Sequence, residues 1–181
     1  MRPRVKSALI VIDMLNPYEH EDADPLVASV GETLPAMVRI IERARREDIA
    51  VIYVNDNYGD WAAAGAQITE RALAGRAPEL IEPIAPPPGT PFIAKARHSI
   101  FYETQMEYLL RQREIERVVL IGQVTEQCVL YSALDAYVRH FTVAVPSDAV
   151  ATIIPDLDDA ALAMMARNMR ADVSGADECA L

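Results

Sequence analysis

Short apolar runs alternate along this chain with longer stretches of helical period. Residues 8–12, 50–54, 92–94, 118–121 and 142–145 are dense in Ile, Val, Leu and Ala and read as strands, and Val173 reads as the start of a short sixth. Between them, residues 34–47 place Met37, Ile40, Ile41 and Ala44 on one face. Residues 104–113 open with the capping-box sequence Thr104-Gln105-Met106-Glu107, and residues 126–139 and 157–170 carry the same helical period. Apolar runs without polar alternation belong to strands buried on both faces, and strand alternating with helix requires crossover connections. The pattern therefore predicts one α/β domain over residues 1–181, with a parallel sheet covered on both sides. The exception is residues 56–91, where Gly59, Gly65, Gly75 and Pro86-Pro87-Pro88-Gly89 surround a single short helical stretch, 67–74. A loop of that length in a compact domain is usually a lid or binding loop.

Ligands of open parallel sheets sit beyond the carboxyl ends of the strands, so the residues that terminate strands carry the chemistry. The run 118–121 ends at Gly122 and leads through Thr125 to Cys128. With Thr125 as N-cap, Cys128 falls at N3, where unpaired N–H groups and the helix dipole favour thiolate over thiol and can receive an oxyanion. A buried cysteine acting as a small apolar residue is the competing reading. Asp13 ends the first strand and Lys95 the third. Alone, each could cap a turn or lie on the surface, but with Cys128 they form a complete set. A carboxylate can take the thiol proton and return it to a leaving amine, while an ammonium between them holds both anions.

Composition narrows the alternatives. Acidic residues outnumber basic ones 27 to 17, and the formal charge of −10 would repel nucleic acid and anionic membranes. The basic opening Met1-Arg2-Pro3-Arg4-Val5-Lys6 leads into an apolar run too short for a signal peptide or a membrane span, which points to a cytoplasmic protein. Two distant cysteines give no disulfide framework, and Cys179 reads as a spare thiol in the C-terminal tail. A redox role would pair Cys128 with that tail residue. Phosphatase chemistry would need an arginine at Leu134, and a dinucleotide site would need glycines after Asp13, where Met14-Leu15-Asn16-Pro17 stands. A non-catalytic binding scaffold remains the principal non-enzyme alternative.

Three blocks carry a resemblance: Ala8-Leu9-Ile10-Val11-Ile12-Asp13-Met14-Leu15-Asn16, Lys95-Ala96-Arg97-His98-Ser99-Ile100-Phe101-Tyr102-Glu103-Thr104, and Gly122-Gln123-Val124-Thr125-Glu126-Gln127-Cys128-Val129-Leu130-Tyr131-Ser132-Ala133-Leu134-Asp135-Ala136. In this order they resemble the isochorismatase-like cysteine hydrolases, a superfamily that includes nicotinamidases, N-carbamoylsarcosine amidohydrolases and biuret hydrolases. The resemblance spans residues 8–150 and takes in Ser147-Asp148-Ala149. It implies a Rossmann-like three-layer α/β/α sandwich with a six-stranded parallel sheet and a catalytic triad of Asp13, Lys95 and Cys128. It further implies a cis peptide at Gln123–Val124, an oxyanion hole from the N–H groups of Val124 and Cys128, and a homodimer or homotetramer. The Tyr102, Met106, Leu109 and Leu110 side chains are candidates for such self-association.

Nicotinamidases hold a metal after the second strand with an aspartate and histidines. Here that stretch reads Asn55-Asp56-Asn57-Tyr58-Gly59-Asp60-Trp61, and His20, His98 and His140 lack ligand spacing, so no metal or other cofactor is expected. Isochorismatases proper cleave a vinyl ether without the nucleophilic cysteine, so Cys128 favours C–N cleavage; the vinyl ether reaction is the alternative. Asn16, Asn57, Tyr58, Trp61, Arg97 and Phe101 are the candidate substrate-binding residues. Among them Arg97 could read a carboxylate and Trp61 could form an apolar wall.

Overall fold

In the computed structural model, which describes residues 5–181, the continuous apolar runs form the sheet. The elements are β1 (Ser7–Ile12), α1 (Ala23–Arg46), β2 (Ala50–Asp56), α2 (Gly65–Leu73), α3 (Pro78–Ile81), β3 (Phe92–Lys95), α4 (Met106–Gln112), β4 (Arg117–Gln123), α5 (Leu130–Val138), β5 (Thr142–Ala144), β6 (Val150–Ala151) and α6 (Pro155–Asn168). The basic opening residues 1–4 lie outside the described residues. All pairings are parallel, in the order β3-β2-β1-β4-β5, with β6 returning to the same edge of β4 beyond β5.

Every residue of β1 is buried because the sheet separates two cores. Leu9 and Val11 join Met37, Ile40 and Ile41 of α1, whereas Ala8, Ile10 and Ile12 join Met106 and Leu110 of α4, Ala133 and Ala136 of α5 and Met165 of α6. Strands facing apolar layers on both sides cannot alternate, which is why they read as unbroken aliphatic runs. The same packing accounts for Met106 and Leu110, which are core residues rather than an association surface. No helix among the described residues is long and apolar enough to cross a membrane.

The structure departs from the sequence reading at five places. The first helix starts at Ala23 rather than at 34 and runs through Pro35, because its buried stripe of Ala23, Leu26 and Val30 continues into Met37 and Ile40. The sixth strand is Val150–Ala151, paired with Gly122 and Gln123, while the segment before Val173 makes one isolated bridge, Asp172 to Ala144. Thr104 does not form a capping box: α4 starts at Met106, and Glu107 turns to Arg139. Thr125 does not cap its helix either. Residues Thr125–Val129 form one π-turn leading into α5, and the Thr125 hydroxyl donates to the Ala151 carbonyl. Finally, residues 56–91 are largely structured. Ile68, Ala72, Leu80, Ile81 and Ile84 of α2, α3 and the turn after it are core residues, and the Tyr53 hydroxyl donates to the Ile84 carbonyl at 2.6 Å.

Strand register brings the chemistry together. Ile12 pairs with both Val54 and Gly122, and Asp56 pairs with Lys95, so β1, β2, β3 and β4 end at one level. Gly122 has φ +117°, and a Cβ there would lie 2.1 Å from the Ile12 carbonyl oxygen, so only glycine allows β4 to approach β1 this closely.

Candidate active site

Asp13 leaves β1 with φ 54°, in the left-handed region, and its backbone is fixed from two sides. Its N–H donates to the Val54 carbonyl at 2.9 Å, and its carbonyl accepts the Gln123 side-chain amide at 2.6 Å. The carboxylate is buried and doubly held: Oδ1 accepts the Asp56 N–H at 2.7 Å, and Oδ2 lies 2.8 Å from Lys95 Nζ. Lys95 is itself buried, with Nζ 3.5 Å from Cys128 Sγ and 3.9 Å from Asp56 Oδ2. Lys95 Nζ thus reaches both Asp13 and Cys128, so β1, β3 and the turn after β4 deliver one connected cluster.

Electrostatics corrects one expectation. Burial pushes the Cys128 thiol well above its ordinary value, the Asp13 carboxylate pushes the same way, and the Lys95 ammonium only partly opposes them. Burial thus acts against the thiolate that a helix N-terminus alone would favour. Burial also raises the Asp13 carboxyl, against the pull of Lys95 and the thiol hydrogen bond. Burial works against the Lys95 charge too, but Asp13, Cys128 and Asp56 outweigh it, and the amine stays protonated. A raised carboxyl beside a raised thiol suits transfer of one proton between them.

A cleft of about 660 Å³ opens over Lys95, lined by Asn57, Tyr58, Trp61 and Arg97, together with Asp56, Tyr102 and Glu103. The structure therefore brings four of the six candidate lining residues to the lysine of the cluster. Asn57 is buried, and its side chain accepts the Gly59 N–H, shaping the turn. Trp61 is 82% exposed, and the Tyr58 hydroxyl donates to the Leu15 carbonyl at 3.1 Å. Asn16 lies in a separate hollow with Pro17, His20 and Tyr58, where its side chain accepts the Tyr18 N–H at 2.7 Å. Phe101 lines neither of these hollows. It is a core residue, stacked 6.0 Å from Phe141 and covered by the Arg139 guanidinium.

Sequence reasoning missed Asp56 and Gln123, whose contacts with Asp13 come from strand register, and His98, whose Nδ1 lies 3.7 Å from Cys128 Sγ. The Gln123–Val124 peptide is cis, as the resemblance implied, and Val124 is largely buried. Among the described residues, no group of three or more His, Cys, Asp or Glu side chains is arranged to hold a metal ion.

Comparison with known proteins agrees with this architecture. The Isochorismatase domain family matches residues 7–178. The chain belongs to that family and is a hydrolase of it. An isochorismatase family protein of Bacillus subtilis, YaaI, is 30% identical over 171 residues, covering 94% of each chain. The ureidoacrylate amidohydrolase RutB of Rhizobium rhizogenes is 26% identical over 178 residues, covering 83% of this chain and 72% of the relative. Among solved structures, the N-carbamoylsarcosine amidase of Thermoplasma acidophilum superposes with a TM-score of 0.76 at 32% identity, covering 97% of this chain and 99% of that one.

Proposed function

We propose that this protein is a cysteine hydrolase that cleaves a C–N bond of a small amide, carbamoyl or ureido compound through a Cys128 thioester. The observation that carries the reading is one buried ammonium, Lys95 Nζ, 2.8 Å from the Asp13 carboxylate and 3.5 Å from the Cys128 sulfur. As Sγ attacks the carbonyl carbon, its proton passes to Asp13, and Lys95 balances whichever of the two is anionic. The backbone N–H groups of Val124 and Cys128 receive the tetrahedral oxyanion; one such donor typically contributes about a hundredfold or more in rate. Collapse breaks the C–N bond, and the Asp13 proton goes to the departing nitrogen. Water then cleaves the thioester to the acid and restores the thiol. The cycle closes on side chains of this protein, and we propose no metal for it.

Access limits the size of the substrate. The cleft has the volume of a small-molecule site, and a folded polypeptide could not lay its backbone against the buried Asp13. Two relatives are named for a ureido and a carbamoyl compound. Arg97, exposed at the cleft, offers a planar fork for a substrate carboxylate, and Trp61 offers an apolar wall. The test is a panel of small amides, ureides and N-carbamoyl acids read by ammonia release. Cys128→Ala and Asp13→Asn should each abolish turnover with the fold intact. A panel that stays inert while an enol ether is hydrolysed would replace this reading with the vinyl ether reaction.

A further inference from the structure

Asp13 leaves β1 between two neighbouring strands, and each of them ends in a buried side-chain amide. Register sets this up: Ile12 pairs with Val54 on one side and Gly122 on the other, so Asn55 and Gln123 flank the exit of β1. Asn55 accepts the Leu15 N–H at 2.9 Å and donates to the Leu15 carbonyl at 3.2 Å. Gln123 donates from Nε2 to the Asp13 carbonyl at 2.6 Å. Both amides are 1% exposed, and burying a carboxamide is unfavourable unless its polar atoms are paired.

The Gln123 amide fits in one orientation only. The Asp13 carbonyl can only accept, while the Tyr18 hydroxyl donates to Oε1 at 3.3 Å. Tyr18 is itself anchored, with its N–H on the Asn16 side chain at 2.7 Å and its ring in the core with Leu26 and Met37. Asp13 has need of such an anchor, because it turns out of the strand with φ 54°, a conformation that persists where the surroundings hold it. A change in its backbone torsions would swing the carboxylate away from the Asp56 N–H at 2.7 Å and from Lys95 Nζ at 2.8 Å. Gln123 does not line the cleft over Lys95, so its side chain has no part in holding a substrate there.

We infer that Gln123 is a positioning residue: its side-chain amide holds the Asp13 carbonyl and so keeps the carboxylate aimed at the Lys95 ammonium that also reaches Cys128, an assignment that rests on the cysteine hydrolase reading. The amide is neutral, so it fixes Asp13 without altering the charge balance of the cluster. The residue after it, Val124, supplies one of the N–H groups that receive the oxyanion in the proposed reaction. The strand end that carries the oxyanion donor thus also fixes the proton acceptor.

p-Nitrophenyl acetate is a suitable probe, because it acylates cysteine whatever the natural substrate is. Wild type, Gln123→Met, Gln123→Glu, Tyr18→Phe and Cys128→Ala are compared by thermal melts and by stopped-flow release of p-nitrophenol, read where phenol and phenolate absorb equally. Gln123→Met and Tyr18→Phe each disrupt the same buried group of contacts, and both should lower Tm. Only Gln123→Met removes the donor to Asp13: at pH 7 its kcat/KM should fall at least about tenfold, as misplacement of a reacting group does, whereas Tyr18→Phe should stay within about threefold of wild type. Gln123→Glu is the rescue. At about pH 5 a buried carboxyl is neutral, its hydroxyl can donate to the Asp13 carbonyl, and the variant should run within about threefold of wild type while Gln123→Met stays slow. The ratio of Gln123→Glu to wild type should then fall at least about tenfold towards pH 9, where the ionised carboxylate turns an acceptor towards an acceptor. Gln123→Met within threefold of wild type, equal rate losses in Gln123→Met and Tyr18→Phe, or Gln123→Glu no faster than Gln123→Met at pH 5 would overturn the role of Gln123 and leave the thioester reading standing. If Gln123→Met gives no soluble protein, a Gln123→Glu ratio that is flat from pH 5 to 9 overturns it. Ester hydrolysis equal in Cys128→Ala and wild type would overturn the cysteine hydrolase reading and the role of Gln123 with it.

Discussion

Replacing Lys95 with methionine tests the electrostatic core of the site, because it keeps an unbranched chain of nearly the same length and removes the ammonium that reaches Asp13 and Cys128. At an effective dielectric of about 20, two unit charges 2.8 Å apart attract by about 6 kcal/mol, and at 3.5 Å by about 5 kcal/mol. Asp13 is already raised by burial with Lys95 in place and Lys95 is the main opposing influence, so without it the carboxyl should be raised further and be a poorer acceptor of the thiol proton. Turnover at about pH 7 should fall roughly a thousandfold, within the range for loss of a positioned base, and recover in part as pH rises and Asp13 ionises. Stability follows with a definite sign. A carboxyl raised by folding contributes stability that is full below its unfolded value, 3.8, and is lost as pH rises through the folded one. Raising it further makes the loss larger, so the deficit of the variant should grow with pH. Because Asp13 can neutralise itself, the cost should stay at about 2–4 kcal/mol, or about 5–15 °C in Tm, near pH 8, and shrink near pH 5. Thermal melts across that range and rates on a verified substrate check both arms. Activity within threefold of wild type at pH 7, or a Tm deficit that does not widen with pH, would refute the reasoning.

Gly122→Ala should be among the most damaging single changes outside the triad: with φ +117° and a Cβ 2.1 Å from the Ile12 carbonyl oxygen, it should cost more than about 4 kcal/mol, read as loss of soluble protein or a collapsed Tm. Arg97→Met should leave the melting temperature within about 2 °C, since Arg97 is exposed, yet raise KM at least tenfold for substrates bearing a carboxylate and not for neutral amides; equal KM changes for both would remove Arg97 from recognition. Dialysis against a strong chelator should leave activity unchanged, because the stretch after β2 lacks histidine; loss restored by zinc, manganese or iron would show a metal role for it.

The strands, and the clustering of Asp13 and Lys95 at their ends, were legible in the sequence for one physical reason. A strand buried on both faces must be apolar throughout, so Asp13 and Lys95 stand out as the first charges after such runs. The first half of α1 was hidden by Gly31 and Pro35, which read locally as helix breakers, whereas burial of Leu26 and Val30 against the sheet overrides them. Val150–Ala151 is too short to show any period and exists as a strand because Gly122 and Gln123 offer it a free edge. Phe101, six residues after Lys95, looked like a lining residue, but its partner is Phe141, forty residues away in sequence and invisible to local pattern. The contacts of Gln123 and Asp56 with Asp13, and of His98 with Cys128, likewise come from neighbours in space. The thiol's elevated pKa belongs to the same class of fact: position at a helix start was readable, but the burial that outweighs it was not.

The central claim is a covalent intermediate on Cys128, and intact-protein mass spectrometry of rapidly quenched reactions tests it most directly. With a turned-over amide or ureide, the wild-type protein quenched within the first turnovers should gain the mass of the substrate's acyl portion, peptide mapping should place it on Cys128 and not Cys179, and hydroxylamine should remove it. Full turnover in Cys128→Ala, or turnover in wild type with no adduct on Cys128 in any quenched sample, would contradict the account.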